Sequence, residues 1–239
     1  MKNKDILKTG IPGLDEIFEG GIRRSNSILV SGCPGTGKTI FSIQFLYEGA
    51  RMGEPGLYIT TEEKASEIKS YANSLGLNLE KFEKKGLIFF CENLFRDSVK
   101  LISLETPLKT IKTKNIKRVI LDGLTLFEYL YSDNINEYRR GILRFLSQVK
   151  QTNATLLATS ERSNLDFNNI SYKPEDFLFN GLIFLAAVRK GYSFERVLTV
   201  VKMRGQKHSI NLYPFSIGHG GIKIHTKQNT ILIRKGILK

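Results

Sequence analysis

Cysteine is scarce in this chain of 239 residues: Cys33 and Cys91 are the only two, one inside a glycine-rich loop and one closing an apolar run. Neither their number nor their spacing makes a disulfide framework or a zinc site, so both read as free thiols of a reducing compartment. Histidine is also sparse, and His208, His219 and His225 show no metal-ligand spacing. No apolar run reaches membrane length; the longest, Leu182 to Val188, is far too short to span a bilayer. The polar start Met1-Lys2-Asn3-Lys4-Asp5 leads into no apolar signal region, so the expected location is cytoplasmic, with no membrane partner. Acids are outnumbered, 23 Asp and Glu against 36 Lys and Arg, for a net charge of +13. That balance raises nucleic acid as a partner, yet bound nucleotide would offset part of it, and lysine-rich surfaces also serve solubility and heat tolerance. The cluster Lys109, Lys112, Lys114, Lys117 and Arg118 contains no acid. It reads either as a weak, non-specific nucleic-acid patch or as a solvated helix end running into a strand.

What the chain does have is one fully formed motif. Ser31-Gly32-Cys33-Pro34-Gly35-Thr36-Gly37-Lys38-Thr39 fits G-x-x-x-x-G-K-[ST] at every fixed position. The β-branched run Ile28-Leu29-Val30 precedes it, and a helical pattern through Phe41, Gln44, Phe45 and Leu46 follows. Strand, glycine loop and helix thus stand in the order that a phosphate cradle requires. The cradle is expected to run from Gly32 through Cys33, Pro34, Gly35, Thr36, Gly37, Lys38 and Thr39 to Ile40. Its glycines let backbone N–H groups converge on phosphates, Lys38 reaches the β- and γ-phosphates, and Thr39 offers its hydroxyl to Mg²⁺. The other reading, a glycine-rich turn with one exposed lysine, leaves the flanking strand and helix unexplained.

The rest of the chain reads as an α/β fold. Residues 9 to 22 suggest a turn, a short helix and a glycine stop; Leu57–Thr60, Leu87–Cys91, Arg118–Asp122 and Ala154–Thr159 read as buried strands. Helices are expected at 65–75, 78–85, 97–113 and 134–150, the last strongly amphipathic. The polar, Asn-rich stretch 161–180 reads as a loop. Beyond it, Leu182–Val188, Arg196–Met203, Tyr213–Ile217 and Ile222–Ile224 form strands with short links and no helices between, an antiparallel extension of a mostly parallel sheet. With 41% apolar residues, ample for a sizeable core, and no linker, repeat or low-complexity segment, the expectation is one domain over 1–239, core about 9–225, with a basic and apolar tail at 226–239.

Hydrolysis needs more than a cradle. Asp122 ends an apolar strand, where ligands bind in a parallel sheet, and suits an acid that holds Mg²⁺ through water; its plainer role would be to cap the next helix. Glu62-Glu63 ends the strand that follows the phosphate-loop helix. A carboxylate there could take a proton from attacking water, and its neighbour would raise its pKa by like-charge repulsion. The plainer role is again a helix first turn.

Several motifs beside the phosphate loop give the chain a family likeness. Thr9-Gly10-Ile11-Pro12-Gly13-Leu14-Asp15, Phe45-Leu46-Tyr47-Glu48-Gly49-Ala50, Thr60-Thr61-Glu62-Glu63, Tyr71-Ala72-Asn73-Ser74-Leu75-Gly76, Thr159-Ser160-Glu161-Arg162, Lys202-Met203-Arg204-Gly205 and Tyr213-Pro214-Phe215-Ser216-Ile217 occur in that order. In these the chain resembles the KaiC-like branch of RecA-superfamily ATPases, from about Thr9 to Ile224. The resemblance implies a RecA-like P-loop NTPase core, ATP or ADP with Mg²⁺, and a homo-oligomeric ring, usually hexameric, with nucleotide at each subunit interface. It implies Glu62 as general base with Glu63 beside it, and Ser74 near the nucleotide on the same subunit. Lys202, Met203, Arg204, Gln206 and His208 would reach in from the adjacent subunit, with Lys202 and Arg204 near the γ-phosphate. Departures from the pattern fall at Arg23-Arg24-Ser25, Ile210 and His219, and Asp176-Phe177 stands where the clock protein's kinase half carries an adjacent Ser-Thr pair. Autokinase activity is therefore not expected.

Two functions follow. One is a Mg²⁺-ATP hydrolase ring with a regulatory or signal-coupling role. The other is a RecA/RadA-paralogue-like DNA-binding ATPase of recombination or repair, whose DNA loops would be 122–138 and 161–180. Besides Asp122, those loops hold seven acids and, as their only basic residues, Arg162 and Lys173, against what phosphate neutralisation requires.

Overall fold

The computed structural model describes residues 5–92, 104–124, 127–128, 131, 134–167 and 169–227. A short antiparallel ribbon pairs β1 (Ile6–Leu7) with β2 (Ile22–Arg23) around helix α1 (Leu14–Ile17). Then come β3 (Ser27–Gly32), α2 (Lys38–Arg51), β4 (Gly56–Thr60), α3 (Ala65–Ser74), α4 (Leu79–Lys84), β5 (Ile88–Cys91), α5 (Glu105–Thr113), β6 (Arg118–Asp122) and α6 (Ile135–Gln151). The chain closes with β7 (Thr155–Glu161), β8 (Gly181–Lys190), β9 (Ser193–Met203), β10 (Tyr213–Gly218) and β11 (Gly221–Ile224). All but β1 and β2 join one nine-stranded sheet in the order β11-β10-β9-β8-β3-β7-β6-β4-β5.

From β5 to β8 the neighbours run parallel, and β9, β10 and β11 are antiparallel. The antiparallel extension therefore begins one strand later than expected. The run at β8 lies parallel to β3, with Ile28 opposite Gly181 and Gly32 opposite Leu185. An apolar run buried on both faces looks the same in either direction, and here the stretch after β7 returns the chain to the edge where β3 starts. The ribbon β1–β2 was not expected either, because two residues per strand carry no periodicity. Of the helix expected at 97–113, α5 covers Glu105–Thr113, and 97–103 lie outside the described residues, as does the tail beyond Lys227.

Alternation along the parallel strands divides the core. Ile28, Val30, Tyr58, Ile120, Leu157 and Ile183 face α2, α3 and α4. Leu29, Leu57, Val119, Leu121, Leu156 and Phe184 face α5 and α6. Helices cover both faces, so functional groups must collect at a sheet edge, where strand ends meet loops.

One buried cation ties the opposite edge together. Arg118, at the start of β6, is fully buried. Its Nε and Nη2 meet Glu54 Oε2 at 2.8 and 2.7 Å, and Nη1 donates to the carbonyls of Lys8 and Phe45, both at 2.9 Å. The guanidinium lies 4.8 Å from the Phe45 ring centroid, and Arg24 meets the other Glu54 oxygen at 2.5 Å. Arg118 is thereby removed from the basic cluster in which its sequence neighbours placed it. Burial raises the Glu54 carboxyl, but the attraction and hydrogen bonds of Arg118 and Arg24 outweigh it and leave the pKa below its ordinary 4.5. A depressed carboxylate stabilises the fold above its unfolded pKa and loses that contribution as pH falls through the folded value. Arg118→Ala leaves Glu54 without its bidentate partner and should cost about 3–5 kcal/mol. Urea unfolding across pH 3 to 7 checks this: the substitution should also flatten the acid limb of the stability curve.

Candidate active site

The loop between β3 and α2 adopts the backbone its glycines permit. Gly35 and Gly37 have φ of 74° and 102°, and Gly37 is the N-cap of α2. At Gly32 a Cβ would collide with the Leu185 carbonyl and the Thr36 hydroxyl. Thr36 Oγ1 donates to the Cys33 carbonyl at 2.8 Å and closes the turn. Lys38 Nζ donates to the carbonyls of Gly32 and Cys33 at 3.0 and 3.1 Å, with Glu161 Oε1 at 3.4 Å. The ammonium is thus held across its own loop, beside the N-terminus of a helix fourteen residues long, a position that favours anions.

Asp122 is fixed from both neighbouring strands. Tyr58 on β4 donates its hydroxyl to Oδ2 and Thr159 on β7 donates to Oδ1, each at 2.5 Å. Burial, then the charge of Asp122, pushes the Tyr58 hydroxyl well above its ordinary pKa, so it stays a donor. Each carboxylate oxygen keeps a second lone pair for water. Thr39 lines the same cavity. Among the described residues no group of three or more His, Cys, Asp or Glu could hold a metal. One hydroxyl and one water-linked carboxylate, all hard oxygen, fit Mg²⁺ held mainly through phosphate.

The turn carrying Glu62 and Glu63 is locked to this strand end. Thr60 Oγ1 donates to the Glu63 carbonyl at 2.6 Å, Thr61 N donates to the Asp122 carbonyl at 2.9 Å, and Gly123 N donates to Thr61 Oγ1 at 3.0 Å. Burial raises the Glu63 carboxyl, reinforced by Asp122, Glu67 and Glu62 and opposed by a hydrogen bond from Tyr71. Like-charge crowding thus falls on Glu63, half-buried, while Glu62 is exposed at the cavity wall.

A cavity of about 540 Å³ joins these parts. Of the residues singled out in the sequence, Pro34, Gly35, Gly37, Lys38, Thr39, Ile40, Glu62, Glu63 and Asp122 line it, with Gly32, Cys33 and Thr36 forming the base of the loop. Thr159, Glu161, Arg196 and Ile217 line it too and were missed. Thr159 and Glu161 stand at a strand's carboxyl end, the signal that singled out Asp122; Arg196 depends on β8–β9 register and left no signal. Ser74 lies outside, at the end of α3, donating to the Tyr71 carbonyl at 2.7 Å. Met203 packs against Gly181. The Gln206 amide holds the glycine turn before β2, donating to the Phe18 and Gly21 carbonyls at 2.9 and 2.5 Å, and His208 Nδ1 lies 3.4 Å from the Gln206 carbonyl.

Lys202 and Arg204 sit at the opposite edge. Lys202 pairs with Leu182, which pairs with Leu29, three residues before Gly32 on β3. At 3.3 Å per residue that separates Lys202 from the loop by about 10 Å along the strands, and Arg204, two residues beyond it, lies further still. Neither lines the cavity of its own chain.

A family model described as "ATPase: KaiC" matches residues 7–229. A UPF0273 protein of Thermotoga maritima is 33% identical over 237 residues, 93% of this chain and 96% of its own length. The circadian clock oscillator protein KaiC of Synechococcus elongatus is 34% identical over 228 residues, 91% of this chain. The chain spans under half of such clock proteins, 44% of that one. The crystal structure of a KaiC-like protein from Pyrococcus horikoshii OT3 superposes with a TM-score of 0.79 at 32% identity, covering 92% of this chain and 98% of the other.

A charge-assisted hydrogen bond contributes about 1.5–3 kcal/mol, so Lys38→Ala should weaken nucleoside triphosphate binding by roughly 10- to 150-fold. Asp122→Asn should keep binding without Mg²⁺ and lose most of the gain that Mg²⁺ brings. Calorimetry with and without a chelator measures both.

Proposed function

The chain belongs to the KaiC-like family of RecA-fold ATPases, and from that premise we propose that it is a Mg²⁺-dependent ATP hydrolase working as a homo-oligomeric ring, hexameric by family likeness, with each ATP held between two subunits. The observation that carries this reading is the division of the catalytic groups between two edges of one sheet. The phosphate loop, Asp122 and Glu62-Glu63 share one cavity, whereas Lys202 and Arg204 lie outside it. Two half-sites at different edges meet when subunits stack head to tail, a contact that makes a ring where the rotation between subunits closes, as the family likeness implies. Charge supports the same contact. The cavity wall carries Glu62, Glu63, Asp122 and Glu161, while Lys202 and Arg204 have no ion-pair partner among the described residues. Beside Arg204 the rings of Tyr172 and Phe177 are 46% and 55% exposed, as apolar groups at a subunit contact would be.

In this reading the loop N–H groups and Lys38 hold the β- and γ-phosphates, and Thr39 and Asp122 keep Mg²⁺ in place. The metal supplies charge neutralisation at the phosphates. Water attacks the γ-phosphorus as the bond to the ADP oxygen breaks; Glu62 takes the water's proton, and ADP and phosphate leave. Lys202 and Arg204 of the next subunit offset the charge that develops on the γ-oxygens. The role we assign is regulatory: turnover at subunit contacts is coupled to ring conformation. Asp176 and Phe177 offer no hydroxyl to phosphorylate, in keeping with hydrolysis rather than autokinase chemistry. Free thiols at Cys33 and Cys91 suit a cytoplasmic setting, and among the described residues no helix is long and apolar enough to cross a membrane.

The recombinase-like reading finds no support. Arg162 and Lys173, the basic residues of the two loops, are paired inside the chain with Asp176, Glu128 and Glu175. Nucleic-acid contact on this reading is weak, non-specific and confined to the lysines around α5.

Complementation tests the composite site. Glu62→Gln lacks the base and Arg204→Ala lacks the trans cation, so each alone should be nearly inactive in phosphate release. Mixed one to one with subunit exchange verified by mass, they should regain activity. About a quarter of interfaces then combine two intact halves. No recovery would place all these residues in one subunit's own site.

A further inference from the structure

The phosphate chemistry makes no use of a buried ion pair next to it. Arg162, 5% exposed, pairs through Nη2 with Asp176, 1% exposed. Its Nε donates to Ser31 Oγ at 2.8 Å, Nη1 donates to the Ser171 carbonyl at 2.6 Å, and the guanidinium lies 4.5 Å from the Phe184 centroid. Ser31 is the residue before Gly32. The Arg162 N–H donates to the Gly32 carbonyl at 3.2 Å, the same carbonyl that accepts from Lys38 Nζ at 3.0 Å. A second tie runs in parallel: Lys173 Nζ donates to the Glu161 carbonyl at 2.5 Å, and the Glu161 carboxylate is a partner of Lys38 at 3.4 Å.

The other end of this pair faces the trans cations. Asp176 lies in a single turn of 3₁₀ helix, Pro174–Phe177, just before β8. Arg204 Nη2 donates to the Phe177 carbonyl at 2.9 Å, and its N–H donates to the Asn180 carbonyl at 2.9 Å. Among the described residues Asp176 Oδ1 is buried without a hydrogen-bond partner. Its charge reaches Lys202, whose pKa is lowered by burial and by Arg204 and supported by Asp176.

We propose that Arg162 and Asp176 couple the two half-sites of one subunit, so that nucleotide taken up at its phosphate loop changes the grip of its Lys202 and Arg204 on the nucleotide of the next subunit. The inference rests on the composite-site reading and adds a direction of communication around the ring. When Lys38 Nζ turns to phosphate oxygens it leaves the Gly32 carbonyl and the Glu161 carboxylate. The Gly32 carbonyl is then held by Arg162 N–H alone, and Glu161 is freed at the end of β7. Arg162 and Lys173 are both fastened to the turn at 173–177, so the turn follows the strand end, and Arg204 and Lys202 follow the turn. Arg162 and Asp176 are positioning residues; neither touches phosphate.

Equilibrium binding of a non-hydrolysable ATP analogue with Mg²⁺, measured calorimetrically on the full oligomer, tests this without turnover. The wild-type sites should depart from independence by about 5-fold or more in affinity, the usual lower range of coupling between sites. Asp176→Asn and Ser31→Ala should each retain oligomer mass and binding stoichiometry while their sites become independent, with a Hill coefficient of about 1. A merely structural role would lower the melting temperature and leave the cooperativity as it is. If Asp176→Asn does not fold, Ser31→Ala decides, because it removes one hydroxyl and keeps the ion pair. Independent wild-type sites, or unchanged cooperativity in a folded variant, overturn the coupling. A wild-type protein that neither binds the analogue nor releases phosphate from ATP overturns the ATPase reading beneath it.

Discussion

At the end of β3 the backbone of Gly32 runs so close to the Leu185 carbonyl that no Cβ fits between them, while its own carbonyl accepts from both Lys38 Nζ and Arg162 N–H. That crowding fixes three things together. It sets where the phosphate loop leaves the sheet, which side chain spans the loop, and how β7 and β8 flank it. Relaxing any neighbour would move the helix α2 N-terminus relative to Asp122, at the end of β6, and Glu62, in the turn after β4. Preorganisation here is a property of sheet register more than of the loop's own sequence.

Two buried arginines stabilise the ends of the same sheet in different electrostatic regimes. Glu54 meets two guanidiniums, and their attraction outweighs burial and lowers its pKa. Asp176 meets one guanidinium, and burial, the largest influence on it, leaves its carboxyl raised. A lowered carboxylate anchors the fold at neutral pH. A raised one sits nearer to neutralisation, and a buried pair of that kind contributes little net stability compared with apolar packing.

What could be read from the chain alone was what is local. The phosphate loop needs only contiguous residues, Asp122 needs only a strand end, and the buried strands announce themselves as apolar runs. Strand direction was not legible: Leu182 to Val188 is equally apolar whether it runs with or against β3. Nor were the buried charges, since Arg118 stood among lysines and Asp176 in a polar stretch, and only a partner distant in sequence distinguishes burial from exposure. Glu54 is 64 residues from Arg118, and Asp176 is 14 from Arg162. The assignment of Lys202 and Arg204 came from family likeness; geometry added that they stand at least about 10 Å from their own loop, measured along the strands.

The positive charge of the chain can then be divided by what each cation faces. Arg118 and Arg162 are buried against carboxylates, and Lys173 is tied into the turn beside Glu161. Lys38 faces one nucleotide, and Lys202 and Arg204 face another in the composite arrangement. In the proposed ring, triphosphate would lie between an edge rich in carboxylates and an edge carrying two cations that have no ion-pair partner among the described residues. On that proposal the net excess of +13 does not call for nucleic acid, because the cations nearest the sites would be matched to phosphate held between subunits. On the composite-site proposal, Glu62 and Glu63 would attract the neighbour's Lys202 and Arg204 even before charge develops on the γ-oxygens. Closure of the proposed interface and stabilisation of the transition state would then draw on the same two side chains, so that a shift of the turn that carries Asp176 would be felt at the neighbouring site.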